Sequence, residues 1–308
     1  MLALAFPFLV LGSAVLVAVM ARIGVLDHPG PRSSHFRPIP KGGGVGIVAA
    51  SMVGLALLGG PLTPRAVLGG GGLLVAGLGY WDDRHDFPPL WKLAVQSVAA
   101  ALPVAAGLVP HLSPWWAVNV AVVFGWMLLV TNAVNFMDGL NGLSAGTAAI
   151  AAAGFGWSGL TAGMIAGIIG FLPFNYPKGR IFMGDVGSQS CGYAVGLFAV
   201  LGAAGPHPLL VPFALAGQLF DVVFTLARRF AAGDRLTQAH RSHLYQIAHR
   251  TGVADWLVTL VYWGFAGWGV MLGLLPWHWW LVAGVSAPEV VWAGYVIGRA
   301  RQVKVGKW

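Results

Sequence analysis

"WWAVNVAVVFGWMLLVTNAVNFMDGLNGLSAGTAAIAAAGFGW", residues 115–157, holds two apolar runs with a short polar interruption between them. The first run is long enough to cross a hydrocarbon core, and the second begins as soon as the interruption ends. Asn132, Asn135, Asp138 and Asn141 stand three residues apart at the junction. Amides and a carboxylate are costly in lipid, so their concentration at the end of a span points to a site. The plainer alternative is a polar loop in which Gly139 and Gly142 act as turn residues.

The same alternation fills the chain. Of its 308 residues 57% are hydrophobic and only 9% charged, against about 25% charged in soluble domains. This composition predicts an all-α, polytopic membrane protein, a single integral-membrane domain over residues 1–308. One cysteine, Cys191, excludes an internal disulfide and a Cys-rich metal site. The apolar N-terminus has no basic residue before it and reads as an uncleaved first span.

Apolar windows fall near 3–21, 43–59, 66–81, 92–108, 115–131, 143–157, 160–174, 190–204, 208–226, 256–275 and 279–298, which predicts about eleven transmembrane helices, with ten as the lower bound. An odd count puts the termini on opposite sides. Of the 18 Lys and Arg residues, only Arg65 then falls on one side, while Arg22, Arg32, Lys41, Arg84, Lys92, Arg228, Arg241, Lys307 and the rest fall on the other. The positive-inside rule therefore predicts the N-terminus outside and the C-terminus in the cytoplasm. Asp27, Asp82, Asp83, Asp86, Asp138, Asp185, Asp234 and Asp255 gather on the cytoplasmic side too, with Asp221 near the cytoplasmic end of the ninth span; only Glu289 lies well inside a span. Orientation requires basic residues but not acids. Both signs on one face predict a polar site that handles an anion with a metal.

Three loops carry the chemistry. In "WDDRHDF", 81–87, two adjacent carboxylates at a membrane boundary suit Mg²⁺ or general-base work, or simply cap the next helix. Lys92 beyond them can reach a phosphate or snorkel. In "FMGDVGS", 182–188, Asp185 stands among glycines at a helix start, where small residues let an anion approach the backbone; the bland reading is an N-cap. In "HRSHLYQ", 240–246, His240, Arg241 and His243 can meet a phosphate, but two histidines do not make a zinc site.

Taken in order, "DHPGPRSSHFRPIPKGGG", "WDDRHDF", "NAVNFMDGLNGL", "FNYPKGRIFMGDVGS" and "HRSHLYQ" resemble the polyprenyl-phosphate N-acetylhexosamine-1-phosphate transferases, the family of the MraY, WecA and WbpL enzymes. The resemblance spans Asp27 to Gln246, about two thirds of the chain. It implies transfer of a sugar-1-phosphate from a UDP-N-acetylhexosamine to undecaprenyl phosphate, with release of UMP. The site would lie in the cytoplasmic loops 22–42, 82–92, 132–142, 175–189 and 227–255 of a bacterial inner-membrane protein. It implies Mg²⁺, with Mn²⁺ as a substitute, held by Asp185 with Asn135. Asp82, Asp83, Asp138, His240 and His243 would be catalytic. Lys41, Lys92, Asn135, Leu140, Asn141, Phe182 and Arg241 would bind substrate, with Phe182 stacking on uracil. The partners are the bilayer and the two substrates, with a homodimer left open and no nucleic acid.

One departure narrows the expectation. Where many members carry adjacent histidines, this chain has Tyr245 and Gln246. That resembles the WbpL-like, O-antigen-initiating branch and predicts a 6-deoxy-N-acetylhexosamine. Two rival classes have other signatures. A transporter keeps ionisable groups at the bilayer midplane, and a CDP-alcohol phosphotransferase groups its aspartates on one helical segment.

Overall fold

The computed structural model describes residues 2–29, 37–85, 87–235 and 240–306; Arg32, Asp86 and Lys307, counted above, lie outside them. The described chain is a helical bundle. In order it runs α1 (Leu2–Ile23), α2 (Gly44–Leu57), α3 (Leu62–His85), α4 (Pro89–Ala105), α5 (Trp116–Phe136), α6 (Leu143–Phe155) and α7 (Gly159–Asn175). It continues with α8 (Gly184–Gly202), α9 (Leu210–Ala214), α10 (Ala216–Ala231), α11 (Leu244–Arg250), α12 (Asp255–Gly273) and α13 (Trp280–Gln302). Against the all-α expectation there is one small exception. Leu26–Asp27 and Ile39–Pro40 form a two-residue antiparallel pair, β1 and β2, which closes the loop after α1.

α1, α3, α5, α12 and α13 are long and apolar enough to cross a bilayer, and α2, α4, α6 and α7 are shorter apolar helices. Phe8, Leu11, Val290 and Val291 project outward, as they do where lipid is the solvent. The protein is a multi-pass membrane protein.

The expected ninth span, 208–226, is one helix in the sequence reading and two in the structure. It breaks at Leu215, between α9 and α10. Pro212 lies in the first turn of α9, where a missing amide hydrogen is tolerated, so it marks where α9 starts and not where it ends. α10 also runs to Ala231 and turns polar residues inward: Gln218, Asp221 and Thr225 are buried.

α8 is the central post. Nearly every residue from Val186 to Val200 is buried, with α3 and α5 packed along it and α2 on α7 beside it. Close backbone approach makes this packing: a methyl on Gly54 would strike the backbone of Gly163. Without a hydrophobic drive between helices in lipid, small residues at crossings supply the van der Waals contact. A second apolar cluster joins the end of α5 and start of α6 to α10–α13 through Met137, Leu143, Val222, Ile247 and Val258.

Candidate active site

A cavity of about 300 Å³ lies where α3 and α5 end and α8 begins, between the α1–α2 loop and the 240–255 segment. Its walls bring together Lys41, Asp83, Asn135, Asp138, Leu140, Asn141, Phe182, Asp185 and Arg241, all singled out in the sequence. Asp82, Lys92, His240 and His243 are not among them.

The floor is built on the start of α8. Gly184 adopts φ 74°, a left-handed backbone that an L side chain resists. A side chain there would also meet the Asp83 carboxylate. That carboxylate comes across from α3. It accepts the amides of Asp185 (3.1 Å to Oδ1) and Val186 (3.4 Å to Oδ2). Asp83 therefore caps α8 from another helix and satisfies donors that the helix cannot pair itself.

Asp185 is then placed by side chains. Asn135 Nδ2 donates to Oδ1 at 3.0 Å and to Ser188 Oγ at 2.8 Å. Gln189 Nε2 donates to Oδ2 at 3.1 Å. Behind Gln189 a polar row continues into the bundle: Gln96 Nε2 donates to Gln189 Oε1 at 3.2 Å, and Asn132 Nδ2 donates to Gln96 Oε1 at 2.9 Å. Here Asn135 presents its donor to Asp185, so it orients the carboxylate.

The adjacent pair at 82 and 83 divides. Asp82 accepts the Phe87 amide at 2.7 Å and pairs with Lys92. It caps the turn between α3 and α4 and also hydrogen-bonds the Asp185 carboxylate at the edge of the site. Lys92, expected on a substrate phosphate, is spent on Asp82 and lies 3.9 Å from Asp185. α3 extends through His85, so consecutive residues leave it in different directions.

The histidines are corrected as well. His243 is buried and faces Asp221, with Nδ1 3.1 Å from Oδ1. His240 lies 2.9 Å from Ser242 Oγ. Burial foremost, with His243, Arg229 and Arg228 adding repulsion, pushes His240 down to about 4. It is neutral at pH 7, so it brings no charge to a phosphate. Asp221, which the sequence marked only by position, organises this segment. It accepts from Leu244 N (2.8 Å), Tyr245 N (3.0 Å), Tyr262 Oη (2.5 Å) and Thr225 Oγ1 (3.2 Å) as well as His243. A carboxylate inside an apolar span was the available signal.

Tyr245 is buried and donates to Phe136 O at 2.9 Å, while Gln246 Oε1 accepts the His243 amide at 3.3 Å. Both make these bonds while lining the cavity, so they serve the fold and also face a ligand. Asn175 was missed. It bridges two loops, accepting Gly142 N at 2.6 Å and donating to Ile181 O at 2.9 Å, and it lines the cavity. A lone amide closing the apolar α7 was its only mark.

Electrostatically the cavity is acidic below and basic at the rim. Burial, then the nearby charges of Asp185 and Asp83, push Asp138 well above the ordinary carboxylate range. Burial opposes charge on Lys41, but its 3.0 Å pair with Asp27 and the fields of Asp83 and Asp185 hold it above its usual value. A cation and an anionic ligand entering together would relieve both the crowded acids and the rim.

The profile of glycosyl transferase family 4 matches residues 66–203, which include Asp83, Asn135, Asp138 and Asp185. A probable undecaprenyl-phosphate N-acetylglucosaminyl 1-phosphate transferase of Bacillus subtilis is 28% identical over 79% of this chain and 75% of its own length. A decaprenyl-phosphate N-acetylglucosaminephosphotransferase of Mycolicibacterium smegmatis is 30% identical over 76% of this chain and 72% of its own. A phospho-N-acetylmuramoyl-pentapeptide-transferase of Shouchella clausii is 29% identical over 81% and 88%.

Proposed function

The chain belongs to glycosyl transferase family 4, and on that premise we propose that it transfers an N-acetylhexosamine-1-phosphate from a UDP-sugar to undecaprenyl phosphate. The observation that carries this is the single cavity into which Lys41, Asp83, Asn135, Asp138, Phe182 and Asp185 converge from separate elements. Family membership removes the transporter and CDP-alcohol alternatives.

A magnesium ion fits the floor. Among the described residues no three His, Cys, Asp or Glu side chains form a metal cage. Mg²⁺ does not need one, since it takes one or two carboxylates and completes its shell with water and substrate phosphates. Asp185 would hold it, with Asn135 Oδ1 beside it. Bound there, it would neutralise diphosphate charge and make UMP a better leaving group. Mn²⁺, also an oxygen-binding cation, is proposed as a substitute.

The chain's own residues have a defined task. Undecaprenyl phosphate has a second pKa of about 6 and is largely dianionic at pH 7, so little proton abstraction is needed. Its oxygen attacks the β-phosphorus, the bond from that phosphorus to the UMP oxygen breaks, and UMP leaves. The barrier is the meeting of two anions, lowered by fixed charges and in-line placement. Lys41 and Arg241 bind phosphate oxygens, and Phe182 offers a face to uracil. Direct attack is favoured over a covalent carboxylate intermediate, because Asp83 spends both oxygens on α8 amides and Asp82 is paired to Lys92. Asp83→Asn should therefore cut the rate by about 10² or more, and Asp82→Asn by less, since it acts through Lys92; UMP release measures both. Equal, small losses would reduce the pair to two caps.

The basic asymmetry supports eleven spans with the cavity on the cytoplasmic side of a bacterial inner membrane. The relatives' names make N-acetylglucosamine the first sugar to test, in the first membrane step of a cell-envelope polysaccharide such as O-antigen. Cysteines at exposed positions test the sidedness. In a Cys191→Ala background, His111→Cys should react with an impermeant maleimide in intact cells and Ala232→Cys should not. Labelling of Ala232→Cys would overturn the orientation.

The reaction is tested with purified protein, undecaprenyl phosphate, Mg²⁺ and a panel of UDP-sugars. UMP release and a lipid product heavier by one sugar phosphate are expected. No UMP with any UDP-N-acetylhexosamine would overturn the proposal.

A further inference from the structure

His249 and Asp255 take no part in the motifs of the 240–246 segment, yet both line the cavity. His249 stands in the last turn of α11 and Asp255 opens α12. Nδ1 of the imidazole is hydrogen-bonded to Asp255 Oδ1. Both side chains are about one third exposed, 27% and 33%, so they are open to a ligand. The turn between them is braced: Thr251 Oγ1 donates to Ala248 O at 2.7 Å, and Arg299 NH2 donates to Thr251 O at 3.0 Å. Tyr245, four residues before His249 and on the same helical face, has committed its hydroxyl to Phe136. His240 and His243 do not line the cavity.

We propose that His249 and Asp255 form a dyad that holds the nucleotide sugar by one of its hydroxyl or N–H groups. A carboxylate accepts only, so Asp255 fixes the hydrogen on Nδ1 and leaves the Nε2 lone pair to the cavity. An acceptor at Nε2 selects donors. The sugar hydroxyls and acetamido group, the ribose and the uracil all offer O–H or N–H, whereas a dianionic lipid phosphate offers none. His249 is thus a substrate-binding residue and Asp255 its positioning residue. This deepens the transferase reading given above and rests on it.

The test uses the full-length chain in detergent, with calorimetric binding of UDP-N-acetylglucosamine beside steady-state kinetics. His249→Ala should raise both its Kd and its KM about tenfold, the scale of one lost hydrogen bond to a substrate. KM for undecaprenyl phosphate should stay within twofold. His249→Gln keeps an acceptor near Nε2 and should recover most of the loss, and Asp255→Ala should weaken binding several-fold. An unchanged Kd in His249→Ala, an equal rise in the lipid KM, or a His249→Gln as weak as the alanine variant would overturn the dyad. Binding without UMP release in the wild type strikes the transferase reading alone, and the Kd series still judges the dyad. Turnover with a Kd indifferent to His249 overturns the dyad alone. No binding by the wild type overturns it as well.

Discussion

Asp185→Asn is expected to lower turnover by about 10³-fold, the upper scale for loss of one electrostatic catalytic group, while the protein stays folded in detergent. The substitution keeps shape but replaces one carboxylate oxygen with an amino group. That group would face Asn135 Nδ2 at 3.0 Å or Gln189 Nε2 at 3.1 Å, donor against donor, so one of the two amides must turn. The hard, anionic ligand for Mg²⁺ is lost at the same time. The α8 cap comes from Asp83 and backbone amides, so an apparent Tm within a few degrees of wild type is expected. Near-wild-type activity in saturating Mg²⁺ would remove Asp185 from the centre of the site.

The second large effect concerns a residue outside the cavity walls. Asp221→Ala should destabilise the protein by about 3 kcal/mol or more, the scale for breaking a buried, fully hydrogen-bonded carboxylate network. Five donors converge on this side chain, which is wholly buried. Without it the first amides of α11 and the Tyr262 hydroxyl are left unpaired in an apolar setting. A clear fall in apparent Tm should accompany loss of activity, because the 240–250 segment forms one cavity wall. Asp221→Asn, which keeps an acceptor, should fall between. Unchanged melting of the alanine variant would show that the segment is held by packing alone.

How much of this was legible in the sequence varies with the range of the interaction. Most of the apolar windows were readable as helices, five of them long enough to cross a bilayer, because polar residues interrupt long apolar runs. The carboxylates at 83, 138 and 185 and the amide at 135 were readable because each stands at a span end, where charge is conspicuous. The division of Asp82 from Asp83 was not. As neighbours in "WDDRHDF" they look equivalent, and only the continuation of α3 sends one to Lys92 and the other to α8. Nor was the burial of His243 against Asp221, 22 residues away, since no local pattern records a partner at that distance. The break at Leu215 was not legible either, since Pro212 marks the start of α9 and not its end.

The clasp between Asp83 and the first amides of α8 also bears on how such a chain can change over generations. It fixes the rotational phase of one helix against another. A single residue inserted in α3 between Gly79 and Asp83 would swing the carboxylate by about 100° around the helix axis, away from α8, and turn a different side chain toward Gly184. Lengthening the connection between α4 and α5 would leave that phase untouched. Length variation among descendants of this sequence should therefore gather in the links on the far side of the bundle, while the segment from Gly79 to Asp83 keeps its count of residues even where their identities drift.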